Sequence, residues 1–169
     1  MLSPKNISYY AKKNERKNHR FRTWLKLHAD PDELDEKFHR LHHELFSRYD
    51  CSKCRNCCKE YYGSIPAGDV ERDAAMLDLS VNEFRKMFLQ QTMDPMEQSY
   101  NTKSIPCDFL QPDGSCILGD NKPDNCKKYP YTDQPDRIGS LLSFLDTVSV
   151  CPVAFEILER LKKEYGFDS

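Results

Sequence analysis

The sequence predicts a mostly α-helical fold with irregular cysteine-rich loops and one short β-hairpin. It reads as a small, metal-organised single domain with a basic N-terminal arm. Three observations predict this. Apolar residues recur at helical spacing over residues 34–49 and 154–165. The chain has 169 residues, enough for one domain, yet it is 38% hydrophobic and 31% charged. With a mean hydropathy of -0.77 the core is thin, and a metal site is a candidate for the missing stability. Finally, there are eight cysteines, and CSKCRNCC at residues 51–58 holds four of them.

Charge divides the chain at residue 28. Residues 1–28 hold Lys5, Lys12, Lys13, Arg16, Lys17, Arg20, Arg22 and Lys26 against Glu15 alone, a net +7. The whole chain is -2, so residues 29–169 carry -9. This arm, a frayed helix or an extended segment, suits an anionic partner. Its Tyr9, Tyr10, Phe21 and Trp24 either stack on bases or dock on the body, and docking with solvated charges is the favoured reading. No apolar run is long enough to enter a membrane. The first residues lack an apolar secretory segment, so the sequon Asn6-Ile7-Ser8 carries no meaning and a cytoplasmic location is expected.

The first clear helix starts at Asp30, a capping residue followed by Pro31, with Glu33 three positions on. Its stripe is Leu34, Phe38, Leu41, Leu45, Phe46 and Tyr49, and it runs to about Asp50. His39 and His43 are four apart, but no Glu sits between them as in HExxH, so with His42 they read as surface histidines. EYYGSIPAGD is turn-rich and irregular, and Asp69 starts a short helix. Ser80 and Glu83 form a capping box for VNEFRKMFLQQ, with Phe84, Met87, Phe88 and Gln91 on one face. Residues 92–105 read as a loop. CDFLQPDGSCIL is the hairpin, turning at Pro112-Asp113-Gly114, and GDNKPDNCKKYPY is a loop. The last helix begins at Pro152, with the stripe Ala154, Ile157, Leu158, Leu161 and Tyr165. Cys151 stands at its N-terminus, where the helix dipole favours a thiolate.

Three chemistries compete for Cys51, Cys54, Cys57, Cys58, Cys107, Cys116, Cys126 and Cys151. Disulfides fit the even count, but no secretory signal supports them, and neighbours such as Cys57 and Cys58 cannot bridge without strain. Zn²⁺ takes four thiolates in a tetrahedron, but the later cysteines contain no second CxxC knuckle. An iron–sulfur cluster, the first choice, takes three thiolates from CxxCxxC and a distant fourth that precedes proline, as Cys151 does. The fit is incomplete, because the ferredoxin spacing would put a cysteine where Tyr61 stands. On this reading Cys51, Cys54 and Cys57 ligate together with one of Cys107, Cys116, Cys126 or Cys151. Cys58 points elsewhere, because neighbouring side chains diverge. Lys53, Arg55, Lys59, Lys127 and Lys128 lie close in sequence to compensate thiolate charge, or are simply solvated.

Taken together, these segments resemble the CxxCxxCC family, the YkgJ-like zinc- or iron-chelating proteins, over roughly residues 40–165. CSKCRNCC is similar to its opening signature, CDFLQPDGSCIL to its second segment, NKPDNCKKYPY to its third and CPVAFEIL to its close. IPAGDVERDAAMLDLSVNEFRKMFL is similar to its two-helix insert. The chain departs at Lys122 and Lys127, where the family carries arginine, which weakens any contact built on a forked guanidinium. The family is related to flagellin lysine methylases whose motif is linked to an iron–sulfur cluster. The resemblance therefore implies a metal centre more firmly than it implies methyl transfer, and no Gly-rich loop follows a strand to hold S-adenosylmethionine.

Three functions follow as expectations. The first is a cytoplasmic protein whose cysteines chelate a metal ion or cluster. The second is a metal-dependent enzyme acting on a protein or small-molecule substrate, with Tyr129 and Tyr131 as the polar groups beside Cys126, or else core aromatics. The third is a nucleic-acid adaptor with a structural zinc site, in which residues 1–28 carry the affinity.

Overall fold

The computed structural model describes residues 1–92 and 98–167. The chain begins with α1 (Ile7–Lys13), α2 (Glu15–His28) and α3 (Pro31–Phe46). Two short helices hold the cysteine motif, α4 (Cys51–Cys54) and α5 (Asn56–Glu60). Then come β1 (Ser64–Pro66), α6 (Val70–Met76), α7 (Val81–Phe88), β2 (Leu89–Gln91) and β3 (Ser99–Thr102). The last elements are α8 (Asp124–Lys128), α9 (Arg137–Val148) and α10 (Pro152–Glu164). The chain forms two compact units, Met1–Cys51 with Pro130–Ser169, and Ser52–Tyr129.

The first unit is helical. In α3 the Asp30 carboxylate accepts from the Glu33 N–H at 3.0 Å and Pro31 occupies the first turn. Leu34, Phe38, Leu41 and Leu45 are buried along one stripe, as the spacing predicts. The helix stops at Phe46, short of Asp50, where the Ser47 hydroxyl donates to the Glu44 carbonyl at 2.7 Å. α3 packs against α9 and α10, with Phe38 edge-on to Phe144 at 4.9 Å. α10 is buried over most of its surface, including Ala154, Ile157, Leu158 and Leu161.

Two features correct the sequence reading of this unit. Residues 1–28 are neither frayed nor extended. α1 and α2 bury Ile7, Ala11, Phe21 and Leu25, and Phe21 and Trp24 dock on Tyr165 and Phe167, as the favoured docking reading expects. Buried Asn18 receives the Lys162 ammonium at 2.6 Å, so the polar pair is satisfied inside the core. α9 falls in a stretch to which the sequence reading assigns no element. Gly139, Ser140 and Ser143 depress its propensity, yet its Leu141, Phe144 and Val148 are buried. Asp136, in left-handed backbone, caps it through the Gly139 N–H at 3.2 Å. A Cβ on Gly139 would stand 2.5 Å from the Asp136 carboxylate, so glycine makes room for the cap.

The second unit is built on a three-stranded antiparallel sheet, order β1-β3-β2, with Ile65 opposite Tyr100 and Leu89 opposite Thr102. Ile65, Val70, Ala74, Phe84, Leu89, Phe109 and Leu118 form its core. The Ser80–Glu83 capping box is present. α7 ends at Phe88, however, and the chain continues as β2. Phe84 is fully buried, whereas Met87 is 55% exposed and Gln91 is exposed in β2.

The strands lie outside the expected hairpin. β1 falls in the stretch expected to be irregular and β3 in the expected 92–105 loop, of which residues 93–97 lie outside the described residues. The hairpin over 107–118 contracts to one bridge, Leu110 with Cys116. Gly114 (φ 85) makes that turn, and the Ile117 N–H donates to the Phe109 carbonyl at 2.8 Å. The loop expected around Cys126 holds α8.

Phe38→Ala should lower the unfolding free energy by about 3–5 kcal/mol in urea denaturation, because it empties a fully packed position. Met87→Ala, on an exposed site, should stay within about 0.5 kcal/mol.

Candidate metal centre

The cysteine motif folds as two short helical turns joined by Arg55, whose backbone is left-handed (φ 49). That reversal ends α4 after Cys54 and starts α5, which holds Cys57 and Cys58. The Lys59 ammonium donates to the Cys54 carbonyl at 3.0 Å and ties the two turns together.

Cys58 does not stand alone. With Cys107, Cys116 and Cys126 it lines a cavity of about 30 Å³ in the second unit, beside Gly63 and Phe109. A space of about one water volume excludes an organic substrate. All four thiols are free. Backbone contacts fix them from several directions. The Cys107 N–H donates to the Cys58 carbonyl at 2.8 Å. The Leu110–Cys116 bridge carries Cys116 back over the turn. The Asn125 amide donates to the Ser64 carbonyl at 3.2 Å, which anchors α8 and Cys126 to β1. Gly63 passes so close that a Cβ there would lie 2.9 Å from the Cys107 sulfur and 3.0 Å from the Thr102 methyl.

Electrostatics set Cys58 apart from its three neighbours. A hydrogen bond from the Cys57 thiol brings Cys58 down to about 6, against the opposing effect of burial. Lys122, Arg55 and Lys59 add positive charge in the same sense. Burial pushes Cys107, Cys116 and Cys126 up, and the charge on Cys58 pushes each of them further. Donors aimed at the sulfurs work the other way. They are the Phe109 N–H and Thr102 hydroxyl for Cys107, the Leu118 N–H for Cys116, and the Ser64 N–H for Cys126. Such donors orient metal-binding thiolates and hold their charge. One thiolate repels the ionisation of the next, so the set ionises together when a cation shares the cavity.

The sequence reading places Cys58 apart from the CxxCxxC group; the structure instead hydrogen-bonds it to the Cys57 thiol and also gives it Cys107, Cys116 and Cys126 as company. Among the described residues, no three His, Cys, Asp or Glu side chains converge as ligands of a single ion. The four sulfurs surround the cavity instead. Cys54 and Cys57 are half-buried in the same unit. Cys51 is exposed and Cys151 is buried, both in the first unit. Cys151 takes the N-cap position of α10 with extended backbone.

Of the cations expected beside the ligands, Arg55 acts on Cys58 and Cys116 and Lys59 on Cys58. The cation with the widest reach is Lys122, which acts on Cys58, Cys116 and Cys126. The sequence reading marks that position as a lysine in place of arginine, and the signal for its role was its place before Pro123-Asp124-Asn125-Cys126. Lys127 turns to the Asp120 carbonyl at 3.0 Å. The Tyr129 ring meets Tyr61 at 5.9 Å, and Tyr131 is left-handed (φ 60) with its carbonyl accepting from Arg137 at 2.7 Å. His39 and His43 hydrogen-bond to each other at 3.0 Å, and His42 bonds the Thr132 hydroxyl at 2.8 Å.

Free thiols gathered around one cavity, with N–H donors and a lysine directed at them, define a cysteine-rich metal-chelating protein. The chain belongs to the CxxCxxCC family, described as "Putative zinc- or iron-chelating domain", whose model matches residues 50–152. No curated protein and no solved structure matches the chain.

Gly63→Ala should force the Cys107 sulfur or Thr102 aside and weaken metal affinity on the order of tenfold, measured by chelator competition. In metal-free protein near neutral pH, iodoacetamide should label Cys58 ahead of Cys107, Cys116 and Cys126. The Cys58 thiolate exists above about 6, so its labelling rate should fall as pH drops through that value.

Proposed function

We propose that the protein binds an iron–sulfur cluster in the reducing cytoplasm, with Cys51, Cys54, Cys57, Cys58, Cys107, Cys116, Cys126 and Cys151 as ligands. The observation that carries this reading is the set Cys58, Cys107, Cys116 and Cys126 around one small cavity, each feeling the charge of Cys58. The cluster would supply a stable anionic centre or an electron site. The residues would supply its thiolates, with N–H donors and Lys122 tuning its charge. Zinc on the same thiolates is the alternative.

A polar cavity of about 440 Å³ in the second unit supports a second reading, that of a metal-dependent enzyme resembling protein lysine N-methylases. It is lined by Arg72, Ser99, Lys122, Asn125 and Lys127 among others, and Lys122 also borders the thiol cavity. A volume of this size accommodates a small substrate or a side chain. Failure to methylate a lysine peptide with S-adenosylmethionine would remove the methylase version. Residues 1–28 present a basic surface to an anionic partner, as a nucleic-acid adaptor with a structural zinc site would require.

Protein purified without oxygen should be brown and contain iron and acid-labile sulfide, and Cys58→Ser with Cys126→Ser should deplete both. Colourless anaerobic protein that holds zinc and no sulfide would overturn the cluster in favour of zinc.

A further inference from the structure

The outer face of α1 and α2 carries a row of cations that the fold leaves uncompensated. Tyr9, Lys12, Arg16 and Arg20 follow one another at spacings of three and four, so they share a helical face, with Lys13 beside them. All five are exposed. The break at Asn14 does not interrupt the row. The Asn14 N–H donates to the Tyr10 carbonyl at 3.1 Å and the Asn18 N–H to the Asn14 carbonyl at 2.8 Å, so the ladder continues through it. The opposite face, Ile7, Ala11, Phe21 and Leu25, is buried in the first unit.

Among the described residues, none of the eight lysines and arginines of residues 1–28 forms an ion pair. Elsewhere in the same unit Lys37, Arg40 and Arg160 are all paired with glutamates. A row of free cations has the chemistry to neutralise successive phosphates and release their counterions.

Two classes of polyanion compete for such a face. A membrane surface needs an apolar helix face to insert into lipid, and here that face is already spent in the core. A single-stranded nucleic acid needs cations with an aromatic ring among them. Tyr9 is 64% exposed within the row, and Tyr10 holds its ring edge-on at 5.2 Å. We infer that this face binds single-stranded nucleic acid, with Lys12, Lys13, Arg16 and Arg20 on the phosphates and Tyr9 stacked on a base. This deepens the anionic-partner reading of residues 1–28 and is independent of the metal centre.

The test uses the full-length, metal-replete protein and a fluorescein-labelled oligouridine of about 12 nucleotides, followed by anisotropy against salt. Four phosphate contacts give a slope of log affinity on log salt near about -3, so binding should weaken roughly 50-fold between 50 and 200 mM salt. The variant K12Q/R16Q/R20Q should lose affinity more than about tenfold and flatten the slope by about two. Tyr9→Ala should weaken binding about fivefold or more at every salt concentration without changing the slope. Lys163→Gln, on an exposed site of the same unit, should change neither.

Affinity untouched by the triple variant overturns the inference. So does tighter binding to a duplex than to the strand, or binding to phosphatidylserine vesicles without binding to the strand. Metal content measured on the same samples keeps a failed centre distinct from a failed nucleic-acid surface.

Discussion

Thiolate charge cannot be gathered in a buried space unless something positive shares it, and the second unit is arranged around that constraint. Burial raises Cys107, Cys116 and Cys126, and the neighbouring charge of Cys58 raises them again. Backbone N–H groups and the charges of Lys122 and Arg55 offset part of this, and a bound cation would offset the rest. On the proposed function, the metal-loaded form would be the state in which all four sulfurs are ionised and every donor aimed at them has a partner. In a chain with so modest a hydrophobic fraction, such coupling of binding to folding would help hold the cysteine-bearing loops in place.

The backbone details of the second unit follow from the same need. Gly63 lets a strand-flanking segment pass against the Cys107 sulfur, and the Thr102 hydroxyl links that segment to the thiol by accepting the Gly63 N–H at 2.8 Å. Arg55 adopts left-handed backbone so that α4 and α5 meet at an angle. Gly114 does the same at the turn over which Cys116 returns, where a Cβ would stand 3.1 Å from the Ser52 carbonyl. Of the three, Arg55 alone accepts a local conformational cost, because glycine adopts positive φ freely. The first unit uses such devices around α9, where Tyr131 and Asp136 are left-handed and Gly139 makes room for the cap, and its helices are otherwise held by apolar packing.

How much was legible in advance varied with the range of the interaction. The helix beginning at Asp30 and the Ser80–Glu83 capping box rest on contacts within one helical turn, so their residues announce them. The sheet does not announce itself. Its strands are three or four residues long, too short for alternation to show, and β1 exists because it pairs with β3 more than thirty residues along the chain. α9 was hidden for the opposite reason. Its glycine and serines argue against a helix locally, and packing of Leu141, Phe144 and Val148 overrides them. The basic residues of 1–28 were plain in the sequence, but that their helix buries its other face could not be seen without the partners Tyr165 and Phe167.

The sequence by itself determined the chemistry: eight thiols, their order, and a basic segment set against an acidic remainder, all of which are properties of residue identity. The divergence of Cys58 from Cys57 that adjacency suggests is not what the fold adopts, since the Cys57 thiol hydrogen-bonds to Cys58. Tertiary structure alone decided that Cys58 joins Cys107, Cys116 and Cys126, and that Lys122 stands beside them together with Arg55. Those sulfurs lie up to 68 residues apart, and no local propensity encodes which distant sulfurs a folded chain brings together. That choice belongs to the strand pairings and turns that close the loops between them.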